Sequence, residues 1–140
     1  MPLRSRAELY LHFVWATEGR EPLLTPDIER AVHRCIVNEV EKLKGVVLAI
    51  GGMPDHVHLV VQFPKIRSTA EVMKQAKGVS SALANDLTHH TRLFRWQNGY
   101  AVFSVCRSHL PTVIAYVKNQ KRHHTQGPLD ADAEEIDEEV

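Results

Sequence analysis

The chain has 140 residues, the length of one domain of ordinary size that can enclose a core. It has no run of 18 apolar residues, and it opens on polar–apolar alternation instead of an apolar block. The sequence therefore predicts neither a membrane span nor a signal peptide. Cys35 and Cys106 both lie among apolar neighbours, so we predict reduced core cysteines in a cytoplasmic protein.

The charged residues are unevenly distributed, although the formal net charge is zero. Residues 130–140 hold seven acids and no Lys or Arg, which leaves ten acids against 17 bases in residues 1–129. We predict one domain over residues 1–129 and an acidic, disordered tail over 130–140. The basic domain favours an anionic partner such as nucleic acid, although a plain solvated surface fits the surplus equally well.

Strand and helix patterns alternate in the first half of the chain. Residues 7–16 alternate as a strand does, with Leu, Leu, Phe and Trp on one face. Thr25-Pro26 opens a helix of regular apolar spacing that Gly45 closes. Residues 46–50 and 56–63 then read as two strands. The short turn between them, residues 51–55, indicates an antiparallel hairpin.

The second half continues with a helix over residues 69–87 and two strands over 93–96 and 100–106, around an Asn-Gly turn. A last helix runs from Pro111 to about His123. The predicted order is β-α-β-β-α-β-β-α. Its first six elements follow the split βαβ pattern of an α+β, ferredoxin-like (RRM-like) fold, with helices on an antiparallel sheet, and the C-terminal helix is added to it.

Two pairs of side chains carry the chemistry. His56 and His58 are two apart on a strand, so they point to one face with Cα atoms about 6.5–7 Å apart and can converge on a divalent cation. Tyr116 and Gln120 are four apart on the last helix, so the phenol and the amide share a face. Each residue alone is usually structural. Together, a metal-binding pair, a phenol and a third ligand suggest a phosphoryl-transfer enzyme that attacks with tyrosine.

Further candidates have equally plain structural interpretations. Asp55 is either an outer partner of a histidine or a turn residue. Trp96 and Tyr100 either stack on bases or pack on the sheet. Histidines 123 and 124 either contact phosphate or are cations at a helix end. Basic residues that could contact DNA phosphates, or form only a charged surface, are Lys74, Lys77, Arg92, Arg95, Lys118, Lys121 and Arg122.

Several segments together resemble a known family. His56-Val57-His58, after Met53-Pro54-Asp55, is similar to the HUH motif of histidine, bulky apolar residue and histidine. Residues 113–124 resemble the nucleophile helix of the single-tyrosine HUH transposases of small bacterial insertion sequences, the REP-associated and insertion-sequence tyrosine type. Residues 12–17 and 96–105 are also similar to this family, so the resemblance covers residues 5–124. The acidic tail matches nothing in the family.

The resemblance implies a metal-dependent endonuclease and strand transferase that cuts and rejoins single-stranded DNA at insertion-sequence ends. The residue matching its nucleophile is Tyr116, which would form a 5′-phosphotyrosine and release a 3′ hydroxyl. The residues matching its ligands for one Mg²⁺ or Mn²⁺ are His56, His58 and Gln120. The resemblance also implies a homodimer whose substrates are DNA hairpins with single-stranded flanks.

Three alternatives stay open on the sequence. A non-mobile relative that nicks repeated hairpins would use the same chemistry. A ferredoxin-like nucleic-acid-binding protein without catalysis would keep its function after Tyr116→Phe. A metal-sensing regulator would need a higher metal affinity than two histidines and an amide usually provide.

Overall fold

The structure is a computed structural model that describes residues 6–122. In chain order its elements are β1 (Leu9–Ala16), α1 (Pro26–Lys42), β2 (Val46–Met53), β3 (His56–Phe63), α2 (Thr69–Leu87), β4 (Ala101–Val105) and α3 (Leu110–Lys118). The four strands form one antiparallel sheet in the order β2-β3-β1-β4. The predicted α+β, ferredoxin-like arrangement is confirmed.

Local sequence signals define the two long helices. In α1, Thr25 is extended and Pro26 occupies the first turn together with Asp27, whose negative charge complements the helix dipole. In α2, Ser68 caps the helix because its side-chain oxygen accepts a hydrogen bond from the Glu71 backbone N–H at 3.1 Å. Within residues 6–122, no helix is both long and apolar enough to cross a membrane.

Each face of the sheet has its own core. Phe13 and Trp15 of β1 belong to the large core cluster that α1 and α2 share with the sheet. A smaller cluster joins Ala49 of β2 and Val60 of β3 to Val117 of α3. Since neighbouring strand residues point to opposite faces, the alternation of β1 and β3 places His12, His56 and His58 on the α3 side.

The hairpin between β2 and β3 is tighter than predicted, because β2 continues through Met53 and only Pro54 and Asp55 form the turn. The two glycines that suggested a turn lie within the strand. A Cβ atom on Gly51 would collide with the backbone carbonyl of Val117, so this glycine allows α3 to approach β2 closely.

The predicted strand over residues 93–96 is wrong. Trp96 makes only an isolated bridge with Thr17, because this segment bonds to the end of β1 and to α2. The Phe94 N–H donates to the Asn85 side chain at 2.8 Å, and the Gln97 N–H donates to the carbonyl of Ala16 at 2.9 Å. These contacts replace the ladder that a hairpin would form.

Smaller differences concern the C-terminal part. The strand predicted over 100–106 is β4, so Cys106 lies beyond it and is exposed, not in the core, whereas Cys35 is half-buried. The last predicted helix ends at Lys118 and is followed by a further helical turn that contains Gln120. His123, His124 and the acidic tail over 130–140 lie outside the described residues.

Candidate active site

The fold brings the four predicted site residues together from the start of β3 and the end of α3. The rings of His56 and His58 have centroids 5.2 Å apart, and those of His58 and Tyr116 are 5.5 Å apart. The Oε1 atom of Gln120 lies 3.4 Å from Nε2 of His56. Two sequence patterns about sixty residues apart thus form one site. They meet because Val117, which follows Tyr116, packs α3 onto the sheet.

The three candidate metal ligands are buried. His56, His58 and Gln120 are each at most 1 % exposed, whereas Tyr116 is half-buried. The Gln120 amide nitrogen donates to the backbone carbonyl of Tyr116 at 3.2 Å, which orients its Oε1 atom toward His56. The Gln120 amide is therefore held by the backbone of the residue that carries the phenol.

The contact between His56 and Gln120 joins two acceptor atoms. Nδ1 of His56 lies 2.7 Å from the Asp55 carboxylate and donates its proton there, and in the tautomer with its proton on Nδ1 the other ring nitrogen, Nε2, carries a lone pair. Gln120 Oε1 is also an acceptor. Two ligand atoms on neighbouring positions of an octahedral Mg²⁺ ion lie about 3 Å apart. The separation of 3.4 Å between these two atoms is close to that distance, so both could contact one cation.

Asp55 contacts Nδ1 of His56, the ring nitrogen that does not face Gln120. This position agrees with the interpretation of Asp55 as an outer partner of a histidine. Arg20 Nε donates to its second carboxylate oxygen at 3.2 Å, and another Arg20 nitrogen lies 3.2 Å from His56 Nδ1. Burial raises the pKa of Asp55, but the hydrogen bond from His56 and then the Arg20 guanidinium outweigh it and lower that pKa to about 2. The carboxylate is therefore ionised and holds the His56 tautomer.

The sequence interpretation missed two residues of this site, His12 and Arg20. His12 is 6 % exposed, and its Nε2 lies 2.8 Å from Nδ1 of His58, with the two rings stacked. Burial, followed by repulsion from His58, lowers the pKa of His12 to about 4, so the ring is neutral. The sequence did contain a signal for His12: it is a polar residue in β1, a strand whose alternation predicts that both of its faces are partly covered. Arg20 carried no such signal.

The candidate DNA-contacting residues do not share one environment. The Lys77 ammonium donates to the backbone carbonyls of Gln97 and Gly99 at 2.8 and 2.9 Å. Lys121 donates to Glu29 at 2.8 Å and to the Gly52 carbonyl at 3.2 Å. These two lysines therefore have structural partners. The others have exposed side chains; they are Lys74, Arg92, Arg95, Lys118 and Arg122.

The aromatic candidates pack within the protein. Trp96 contacts Trp15 edge to face at 5.7 Å, and its indole nitrogen donates to Ser80 at 3.0 Å. Tyr100 lies against Phe13, and its hydroxyl is 2.9 Å from that of Thr69. Within residues 6–122, no three His, Cys, Asp or Glu side chains form a metal-binding group, so a cation here would need the Gln120 amide.

Comparisons with known proteins identify a family and a fold for this chain. The family model described as IS200-like transposase matches residues 5–120. A solved structure from Deinococcus radiodurans R1, described as a candidate transposase, is similar with a TM-score of 0.67 and 22 % identity over 86 % of this chain and 96 % of that one. A REP-associated tyrosine transposase bound to a REP hairpin is similar with a TM-score of 0.61 and 12 % identity, covering 84 % and 70 %.

None of the curated protein sequences matches the chain. The two structural similarities show that the chain shares its fold with these two transposases. The family model covers most of the sequence, and the chain therefore belongs to the IS200-like transposase family.

Proposed function

We propose that this transposase cleaves and rejoins single-stranded DNA at insertion-sequence ends through a covalent bond between Tyr116 and a 5′ phosphate. The observation that carries the proposal is the proximity of two buried acceptor atoms, His56 Nε2 and Gln120 Oε1, with Tyr116 one helical turn before Gln120 in the sequence. In that arrangement the two acceptors would hold a cation against the scissile phosphate, and the Tyr116 phenol would be the nucleophile that attacks this phosphate.

The donor set fits one divalent cation, Mg²⁺ or Mn²⁺. The residues that would hold it are His56 and His58 through Nε2 and Gln120 through Oε1, because Nδ1 of each ring faces another protein group. Two neutral imidazoles and an amide leave most of the positive charge on the cation. The cation would supply charge stabilisation at the scissile phosphate.

The chain itself supplies the nucleophile and its position. A phenol has an ordinary pKa of about 10, so Tyr116 needs a nearby positive charge or a base to attack at neutral pH. Its oxygen forms a new bond to phosphorus, the phenolic proton is released, and the bond from phosphorus to the 3′ oxygen breaks, which leaves a 3′ hydroxyl. The phosphotyrosine conserves the ester bond, so another 3′ hydroxyl can reverse the step without ATP.

We further propose DNA hairpins with single-stranded flanks as substrates in the cytoplasm. The hairpin in the structure of the REP-associated relative supports this substrate class. We also propose a homodimer, with β4 as the contact, because β4 is an edge strand that exposes Val102 and Phe103. Sedimentation of a monomer at micromolar concentration would contradict the dimer.

The decisive test is covalent capture. The protein is incubated with labelled single strands from either flank of its own gene and with Mg²⁺ or Mn²⁺, and boiled in detergent before electrophoresis. We expect a shifted band that requires metal, is lost in Tyr116→Phe and persists in Tyr10→Phe. Tyr10 is the matched control because it is half-buried at the other end of β1, paired with Gln62. DNA binding without an adduct for any flank and metal would instead favour a binding protein.

A further inference from the structure

A second concave surface lies on the α2 side of the sheet, separate from the candidate active site. It is a cleft of about 630 Å³ between the middle of α2 and the segment that follows it, residues 94–98, with Glu18 and Gly19 at one end. Clefts of this size accommodate ligands such as a nucleotide.

The cleft is connected to the active-site end of the sheet. Ala16, the last residue of β1, accepts a hydrogen bond from Gln97 N–H and pairs with His56 across the strands. The Glu18 N–H donates to the Arg95 carbonyl at 2.9 Å. The candidate active site and the cleft therefore adjoin the same end of β1, on opposite faces of the sheet.

Gly78 lies on the wall of the cleft and has no packing role within residues 6–122. A Cβ atom added there would meet no described atom within 4 Å, and the residue is exposed in the middle of a 19-residue helix. Glycine is the poorest helix former after proline, so its presence there is unfavourable for the isolated helix. A bare helix surface at this point permits the close approach of a flat ligand.

Gln97 provides hydrogen-bonding capacity that the described part of the protein does not use. Its side chain is 7 % exposed, and its Nε2 is buried without an acceptor among residues 6–122. Its backbone is fixed, because the Lys77 ammonium donates to the carbonyls of Gln97 and Gly99. Buried amides are normally paired, so this one is a candidate for a ligand contact.

The chemistry of the cleft suits a base better than a phosphate. Amides and carboxylates read the edges of bases, and Gln97, Asn98 and Glu18 all line this surface. The Lys77 ammonium is already bonded to two carbonyls, and the Arg95 guanidinium, which also lines the cleft, lies 3.9 Å from the Glu18 carboxylate, so these two charges largely offset each other. Phe94 and Trp96, which pack edge to face at 4.7 Å, make the wall rigid and aromatic.

From these features we propose that the cleft binds one unpaired nucleobase of the DNA strand, with the Gln97 amide at its edge and Gly78 beneath it. This inference rests on the proposed function, since it presumes a single-stranded DNA substrate. It assigns the Gly78 cleft a role in holding DNA, apart from the chemistry at Tyr116.

The test measures binding in EDTA, where no cleavage interferes, by fluorescence anisotropy with labelled strands of about 10 nucleotides. Each base-bearing strand is compared with an abasic strand of the same length. Gly78→Gln fills the cleft, and Ala70→Gln is the matched control, because it adds the same side chain at an exposed position of α2 outside the cleft. Gln97→Met removes the amide alone.

We expect Gly78→Gln to weaken binding of base-bearing strands about tenfold, the size of one lost base contact, and to leave the abasic strand unaffected. The melting temperature should equal or exceed the parent's, because glutamine is the better helix former. Gln97→Met should reduce the preference for base-bearing over abasic strands.

Three results would overturn the proposal: equal binding by Gly78→Gln and Ala70→Gln, equal weakening toward the abasic strand, or a parent protein that does not prefer the base-bearing strand. A missing Tyr116 adduct would contradict the proposed function and is read in a separate assay. The two failures are thus distinguishable.

Discussion

The hydrogen bond between His12 and His58 bears directly on the proposed chemistry, because it determines which nitrogen of the His58 ring carries the proton. For His58 Nε2 to act as a ligand, Nδ1 must carry the proton and donate it to His12 Nε2, at 2.8 Å. A neutral His12 can accept it, in agreement with the pKa of about 4 that burial and His58 give this ring. His12 is therefore a positioning residue in this mechanism.

Replacing His12 tests that role. We expect His12→Leu to weaken Mn²⁺ binding about tenfold, whereas His12→Gln, whose side-chain oxygen can accept the same hydrogen bond, retains most of the affinity. The readouts are Mn²⁺ titration by electron paramagnetic resonance and the ¹⁵N shifts of the His58 ring, which report the tautomer. Unchanged affinity and tautomer in His12→Leu would show that the contact only fills space.

At the scale of secondary-structure elements, a buried glutamate, Glu39, lies at the contact between α1 and α2. Glu39 of α1 is 5 % exposed and accepts hydrogen bonds from Lys42 of the same helix and from Gln75 of α2, both at 2.8 Å. These two hydrogen bonds, more than any other effect, lower the pKa of Glu39. The ionised acid thus links the two helices beneath the sheet.

A lowered pKa makes this stabilisation dependent on pH. It is fully present above the ordinary glutamate pKa of about 4.3 and is lost as the pH falls through the lower value of the folded protein. We expect Glu39→Gln to reduce the free energy of unfolding by about 1 kcal/mol at pH 7 and by much less near pH 3. Urea unfolding at both pH values measures the difference, and an equal loss at both would argue against an ionised Glu39.

Element by element, the sequence was a reliable guide where a pattern is local. The helix that begins at Pro26 and the strand His56–Phe63 are where their apolar spacing predicts. The strand predicted over residues 93–96 from the same kind of evidence is wrong, because the backbone there bonds to the Glu18 N–H and to the Asn85 side chain instead. A propensity cannot reveal which distant group competes for a backbone hydrogen bond.

At the scale of the whole molecule, charge separation along the chain should control DNA binding. Removing residues 130–140 takes away seven acids and leaves the 17 basic residues. We expect the shortened protein to bind single-stranded DNA more tightly than the full chain at low salt, with the difference vanishing as salt screens both. Anisotropy titrations over a range of salt concentrations measure this, and identical curves would mean that the tail does not affect the basic surface.

The sequence by itself determined the elements whose patterns are local and which of their side chains share a face. The shared face of His56 and His58 follows from a period of two, and that of Tyr116 and Gln120 from the helical spacing of four, so the two pairs of side chains were predictable. Their assembly into one site was not, because local periodicity does not specify which faces meet.

Only the tertiary structure placed Val117 against β2, brought His12 to His58 across 46 positions of sequence, and set Arg20 beside Asp55. These contacts depend on strand register and on close approach at Gly51, which are properties of packing between distant segments. The same packing, not any motif, formed the cleft at Gly78.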